Sequence, residues 1–211
     1  MLKIKLISAI LAIVLMPVSA FATIIGGNVT STGGAFVLFD PIPATLTVGN
    51  NNQQSPNLFG FNEDQNIAIT STITVNVGTD PVSGDIVASH YIFFDPEFTD
   101  TITGWVDFDA DIYGIITDST KLAASDFLAN TGVNYVGSTL RGLEGGDSAS
   151  IDPGMANRLL INFRAGSPGD YIRVLTMRSP GASNNIPEPS MMGLLGLGLL
   201  GVVALRRRKY I

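Results

Sequence analysis

Any chemistry in this chain would have to rest mainly on carboxylates. The sequence has no cysteine and a single histidine, His90. Thiol nucleophiles, thiolate zinc sites and disulfides are therefore excluded. Asp107, Asp109 and Asp111 recur at every second residue. On an extended strand they project from one face about 7 Å apart, and they repel unless solvated or neutralised. Calcium, a hard cation that takes several oxygen ligands, is the natural neutraliser outside a cell. The spacing mimics the start of an EF-hand loop, with Asp118 at the twelfth position. However, Ile112 stands where that loop needs glycine and the last ligand is not Glu, so the EF-hand is rejected. Two readings stay open, a calcium site on a β-sandwich and a solvated acidic face.

His90 lies in Ala88-Ser89-His90-Tyr91. A Ser-His-Asp hydrolase would need it, yet no G-x-S-x-G elbow supplies a nucleophile. Gly146-Asp147-Ser148-Ala149-Ser150 resembles a serine-protease nucleophile segment only superficially, because the following glycines are missing. The expectation is a non-enzymatic domain with His90 half-exposed on a strand. Trp105, with Tyr91 and Tyr113, offers either a sugar-stacking platform or core packing, and its strand-like surroundings favour the core.

The elements that must position these residues are short strands. Ile67 to Val77 alternates, with Ile73, Val75 and Val77 separated by Thr and Asn, as on a half-buried strand. Further strands are predicted over Ile86–Phe94, Ile102–Phe108, Ile112–Ile116, Arg158–Arg164 and Tyr171–Met177. Gly166-Ser167-Pro168-Gly169-Asp170 reads as a hairpin loop between the last two. One helix is predicted over Ser119–Leu128, capped by Asp118 or Ser119, with Leu122 and Phe127 or Leu128 inward. The stretch from Thr23 to Asn66 is rich in Gly, Pro, Asn and Gln, which predicts loops and a few edge strands. The expected fold is mainly β, a single antiparallel β-sandwich with one short helix over residues 23–178. Residues 179–185 form a flexible linker.

Charge is unevenly distributed. Thr23 to Asn185 carries six cations against seventeen carboxylates, a net of −11, and no Lys or Arg occurs between Thr23 and Thr120. That balance argues against nucleic acid and anionic membrane as partners. With no disulfides, the domain must rely on its core.

Both ends read as targeting segments. Lys3 and Lys5 precede an apolar stretch from Leu6 to Met16, followed by Pro17 and the small residues Ala20 and Ala22 around Phe21. That is a signal peptide over residues 1–22, cleaved by signal peptidase after Ala22. At the other end, Pro187-Glu188-Pro189 precedes an uncharged, glycine-rich apolar run, then Arg206-Arg207-Arg208-Lys209. A helix over about residues 190–205 would span a little over 20 Å, which snorkelling arginines extend towards a bilayer core of about 30 Å. The basic cluster over 206–209 resists translocation and so stays cytoplasmic.

This three-part tail, residues 186–211, closely resembles the PEP-CTERM sorting signal, a segment also labelled the ice-binding protein C-terminal domain. The resemblance implies recognition and cleavage at Pro187-Glu188-Pro189 by exosortase, an integral-membrane cysteine transpeptidase. It further implies export through the inner membrane of a Gram-negative bacterium and transfer to the cell surface or extracellular matrix. No ice binding follows from it. The residues from Val106 through Val174 are also similar to the ectodomain of a recurrent group of such sorted proteins without assigned activity. The sequence leaves two other functions open. One is a calcium-dependent carbohydrate-binding module or adhesin contacting exopolysaccharide; the other is a secreted hydrolase.

Overall fold

Alternation of apolar and polar side chains decides which strand faces meet. The computed structural model describes residues 23–31 and 33–178. In β12 (Met155–Ala165), Leu159, Ile161, Phe163 and Ala165 are buried, while Arg158, Leu160, Asn162 and Arg164 face outward. β12 lies between β11 (Ser148–Asp152) and β8 (Asp100–Phe108), and β1 (Ile24–Val29) completes a four-stranded antiparallel sheet.

The larger sheet runs β2 (Phe36–Leu38), β4 (Leu58–Asn62), β7 (Ile86–Phe94), β13 (Asp170–Met177), β9 (Ile112–Ile116) and β6 (Val77–Gly78). A further strand, β5 (Ile67–Ala68), also pairs with β7. β7 and β13 show no alternation, being buried along nearly their whole length. Such continuous burial means that both faces are covered. One apolar cluster joins Ile92, Phe94, Ile172 and Val174 to Val106, Phe108, Leu159 and Phe163 of the smaller sheet. The second cluster, on the opposite face, joins Phe59, Phe61, Tyr91, Phe93 and Tyr171 to Leu46, Leu122, Leu128 and Val133. A third layer therefore caps the large sheet. It consists of α1 (Ser119–Ala124), a 3-10 turn at Asp126–Leu128, and a two-stranded sheet of β3 (Thr47–Val48) and β10 (Asn134–Tyr135).

The mainly-β class and the one short α-helix are as the sequence predicts. The strands divide among three sheets, however, and the β2–β4 and β3–β10 pairings are parallel. The predicted helix stops at Ala124. Asp118 caps it by accepting from the Thr120 and Lys121 amides, while Leu122 and Leu128 turn inward and Phe127 is exposed. The predicted strand over Ile67–Val77 survives only as β5 and β6, although Ile69, Ile73 and Val75 between them are buried. Val75 packs on Gly114, where an added Cβ would lie 2.6 Å from a Val75 methyl. The loop 166–169 is not a hairpin, because β12 and β13 belong to different sheets and the loop carries the chain between them.

The third layer is fastened by one buried ion pair. Arg173 on β13 and Glu63, just after β4, both have side chains with 0% exposure. Arg173 donates from Nε and Nη2 to the two Glu63 oxygens at 2.6 and 2.8 Å. Its Nη1 reaches the Leu122 carbonyl at 3.0 Å and Ser125 Oγ at 2.6 Å, and Asp126 Oδ1 lies 3.2 Å from Nη2. Glu63 also accepts from the Ser89 and Tyr135 hydroxyls at 2.5 and 2.7 Å. Arg141 clasps Asp126 with two bonds of 3.0 and 2.6 Å. Burial, the largest single influence, opposes the charge on Arg173, and the carboxylates of Glu63 and Asp126 more than reverse it. Removing one partner of such a pair leaves a buried charge uncompensated, at a cost of about 3–5 kcal/mol. Arg173→Met and Glu63→Gln should each lower unfolding free energy by about that much in denaturant titrations. Combining them should cost clearly less than the sum.

Candidate functional site

The residues with predicted chemistry do not come together. Asp107 ends the polar face of β8, and Arg158 holds both of its oxygens through bonds of 2.6 and 2.8 Å. Asp109 and Asp111 lie past the end of β8, in the turn before β9. The alternation that would align three carboxylates stops at Phe108, so they do not share one strand face. Among the described residues, no three His, Asp or Glu side chains converge as a metal-binding set.

His90 is fully buried, not half-exposed. It lies between the two large sheets with its ring centroid 4.7 Å from that of Phe108. Asn62 Oδ1 accepts from the Ile24 amide at 3.1 Å and lies 2.8 Å from His90 Nδ1. That nitrogen therefore carries the proton, and Nε2 accepts from the Thr176 hydroxyl at 3.1 Å. Burial depresses the imidazole pKa to about 3. Both ring nitrogens are engaged and no solvent reaches them, so His90 is a structural residue here. Trp105 also departs from expectation. It sits half-buried on the outward face of the four-stranded sheet, beside Asn28 and Leu160, with the Arg158 guanidinium 4.1 Å from its ring centroid.

A family model described as the PEP-CTERM protein-sorting motif matches residues 185–209. The chain carries this sorting motif. The motif implies an exported, exosortase-targeted protein that is processed at the membrane and sorted to the cell surface. Pro187, Glu188 and Pro189 and the basic residues Arg206, Arg207, Arg208 and Lys209 all fall inside the match, outside the described residues. Ala20 and Ala22 and the two predicted terminal helices also lie outside them. Among the described residues no helix is long and apolar enough to cross a membrane. No curated protein and no solved structure matches the chain.

Sequence reasoning missed a strongly polar concavity, at the end of the sheets where β7 ends and β13 begins. Thr99, Glu144, Arg164, Ser167 and Asp170 line a cleft of about 310 Å³. The sharp crossing between sheets places Gly169 at φ 94°, where its Cα packs beside the Tyr171 hydroxyl and the Phe94 carbonyl. Asp170 is 1% exposed, and its Oδ2 has no hydrogen-bond partner. Burial first, then the charges of Asp147 and Glu144, push its pKa up to about 7. The Gly-Ser-Pro-Gly-Asp run flags a turn, but nothing in the sequence shows that its Asp turns inward.

His90 and Asp170 bias stability in opposite directions. His90 binds a proton only on unfolding, so its contribution is present above about pH 6.5 and lost as pH falls toward 3. Asp170 is protonated in the fold and ionised when unfolded, so its contribution is lost as pH rises from about 4 through 7. Relative to the native sequence, Asp170→Asn should gain stability as pH rises across that window. His90→Gln should lose less on acidification. Denaturant titrations at a series of pH values would check both slopes.

Proposed function

We propose that this is a non-enzymatic surface or extracellular-matrix protein, displayed or released after exosortase cuts at Pro187-Glu188-Pro189. The match at residues 185–209 carries the reading. The apolar run over about 190–205 arrests the chain in the inner membrane, and Arg206 to Lys209 fix its cytoplasmic end. Proline disfavours helix both at its own position and at the residue before it, which suits a Pro-Glu-Pro sequence to recognition by a peptidase. A separately folded β domain upstream suits such a route, since processing at the tail leaves its core intact. The described chain also leaves that domain beside Asp111, whose carbonyl accepts from the Met177 amide at 2.8 Å, at the end of β13 remote from the Asp170 cleft.

The test is the C-terminal mass of the protein recovered from the host envelope and medium. The expected mature form ends near Pro187-Glu188-Pro189. Glu188→Ala should leave the full tail in the membrane fraction. A native protein that keeps its tail in the membrane would instead be a plain single-span anchored protein.

A second reading is an adhesin that binds exopolysaccharide through the outer face of the four-stranded sheet. The half-exposed Trp105, set among Asn28, Thr103 and Asn162, favours it, because an indole beside amide and hydroxyl groups suits a sugar ring. On this reading Trp105→Ala lowers retention on the host's exopolysaccharide about tenfold, a loss of roughly 1.4 kcal/mol. Phe98→Ala, at an exposed site elsewhere, leaves retention unchanged. Equal retention of both variants removes the reading.

A further inference from the structure

Buried acceptor oxygens without donors gather around the loop that crosses between the sheets. Asp170 Oδ2 and Asn51 Oδ1 are shielded from solvent and unpartnered, whereas the Asp95 carboxylate beside them is held by the Gln53 amide at 2.9 Å and by the Tyr171 hydroxyl. Asn51 reaches the loop by donating from Nδ2 to Ser167 Oγ at 2.6 Å. Asp95 Oδ1 would lie 3.1 Å from a Cβ placed on Gly169. Nearby, Asp147 is occupied: its Oδ1 accepts from the Arg164 amide at 2.7 Å and its Oδ2 from the Glu144 amide at 3.2 Å. It thus shapes the 144–147 loop and adds negative charge without offering a free ligand. The cleft between these loops is lined by Glu144, Asp170, Thr99 and Ser167, with Arg164 the only cation on its wall. Among the described residues, no ion pair joins Arg164 to Asp170.

A buried carboxyl group without a donor is costly to ionise unless a cation takes the place of its proton. A wall rich in oxygen acceptors and poor in donors suits a hard cation. We propose that this cleft binds a divalent cation of the calcium type. Asp170 and Glu144 supply the carboxylates, and Thr99 and Ser167 supply neutral oxygens. Calcium accepts such mixed oxygen sets at flexible coordination number, whereas magnesium demands a near-ideal octahedron and sheds its waters reluctantly. Two carboxylates with neutral donors place the affinity in the range of extracellular modules, about 10⁻⁴–10⁻³ M. This site is distinct from the Asp107, Asp109 and Asp111 run, which lies at the other end of β8.

The experiment uses the full chain in detergent micelles, stripped with chelator and melted with calcium chloride, magnesium chloride or sodium chloride of matched ionic strength. Calorimetric titration of calcium accompanies the melts. Calcium should raise the melting temperature, with half the effect at about 10⁻⁴–10⁻³ M, and magnesium should do markedly less. Asp170→Asn and Glu144→Gln should each weaken calcium at least tenfold. Arg164→Gln should tighten it several-fold, and Asp107→Asn should leave it unchanged. Glu144 is exposed, so Glu144→Gln decides the matter even if Asp170→Asn fails to fold. No calcium-specific shift, or a shift that survives Glu144→Gln undiminished, overturns the proposal. Loss of the shift in Asp107→Asn alone moves the site to the other end of the sheet.

Discussion

The Arg173–Glu63 pair is the constraint around which the third layer is arranged. A guanidinium with no solvent contact must satisfy its donors within the protein, and Arg173 does so with a carboxylate, a helix carbonyl, a serine hydroxyl and Asp126. The four partners come from three places: the residue after β4, the end of α1 with its capping Ser125, and the start of the following 3-10 turn. Hydrophobic contact alone would let α1 and the β3–β10 ribbon slide over the aromatic face formed by Phe59, Phe61, Tyr91 and Phe93. The directional bonds from Arg173 fix one placement. This is the role in which buried ion pairs are best attested, specificity of arrangement more than net stability.

Around that hub the aromatic side chains do the filling. Phe59, Phe93 and Tyr171 stack successively across β4, β7 and β13, with centroid separations of 5.2 and 5.8 Å. Tyr91 meets Tyr135 edge to face at 5.3 Å. The Tyr135 hydroxyl returns to Glu63, so the apolar layer and the ionic hub share a residue. Burial first, then the charge of Glu63, keep that phenol protonated and able to donate.

Local pattern made much of the fold legible. The bounds of β7 and β9, the Asp118 cap and the inward row Leu159, Ile161 and Phe163 follow from periodicity and capping chemistry, which neighbouring residues determine. What stayed hidden depends on partners distant in sequence. Glu63 and Arg173 are 110 positions apart, and neither announces its burial. β11 was hidden in a stretch that reads as a turn, because Ser148 and Ser150 face water and only Ala149 is buried there. Trp105 faces outward although its strand-like surroundings favour the core, because a strand has two faces and alternation alone does not say which one a neighbouring sheet covers. The sorting tail was legible outright, since the motif is a linear order of residues within 185–209.

The position of β13 has a mechanical consequence. The tail continues from Met177, the last residue of a strand hydrogen-bonded on one side to β7 and on the other to β9. A pull on an anchored tail therefore acts along the axis of an interior strand. It loads two antiparallel ladders together, in shear, and does not peel an edge strand one bond at a time. Arg173, midway along β13, adds a side-chain bolt against the same displacement. A protein held at a cell surface by its carboxyl end would in this way meet flow or drag with a strand cross-linked on both sides.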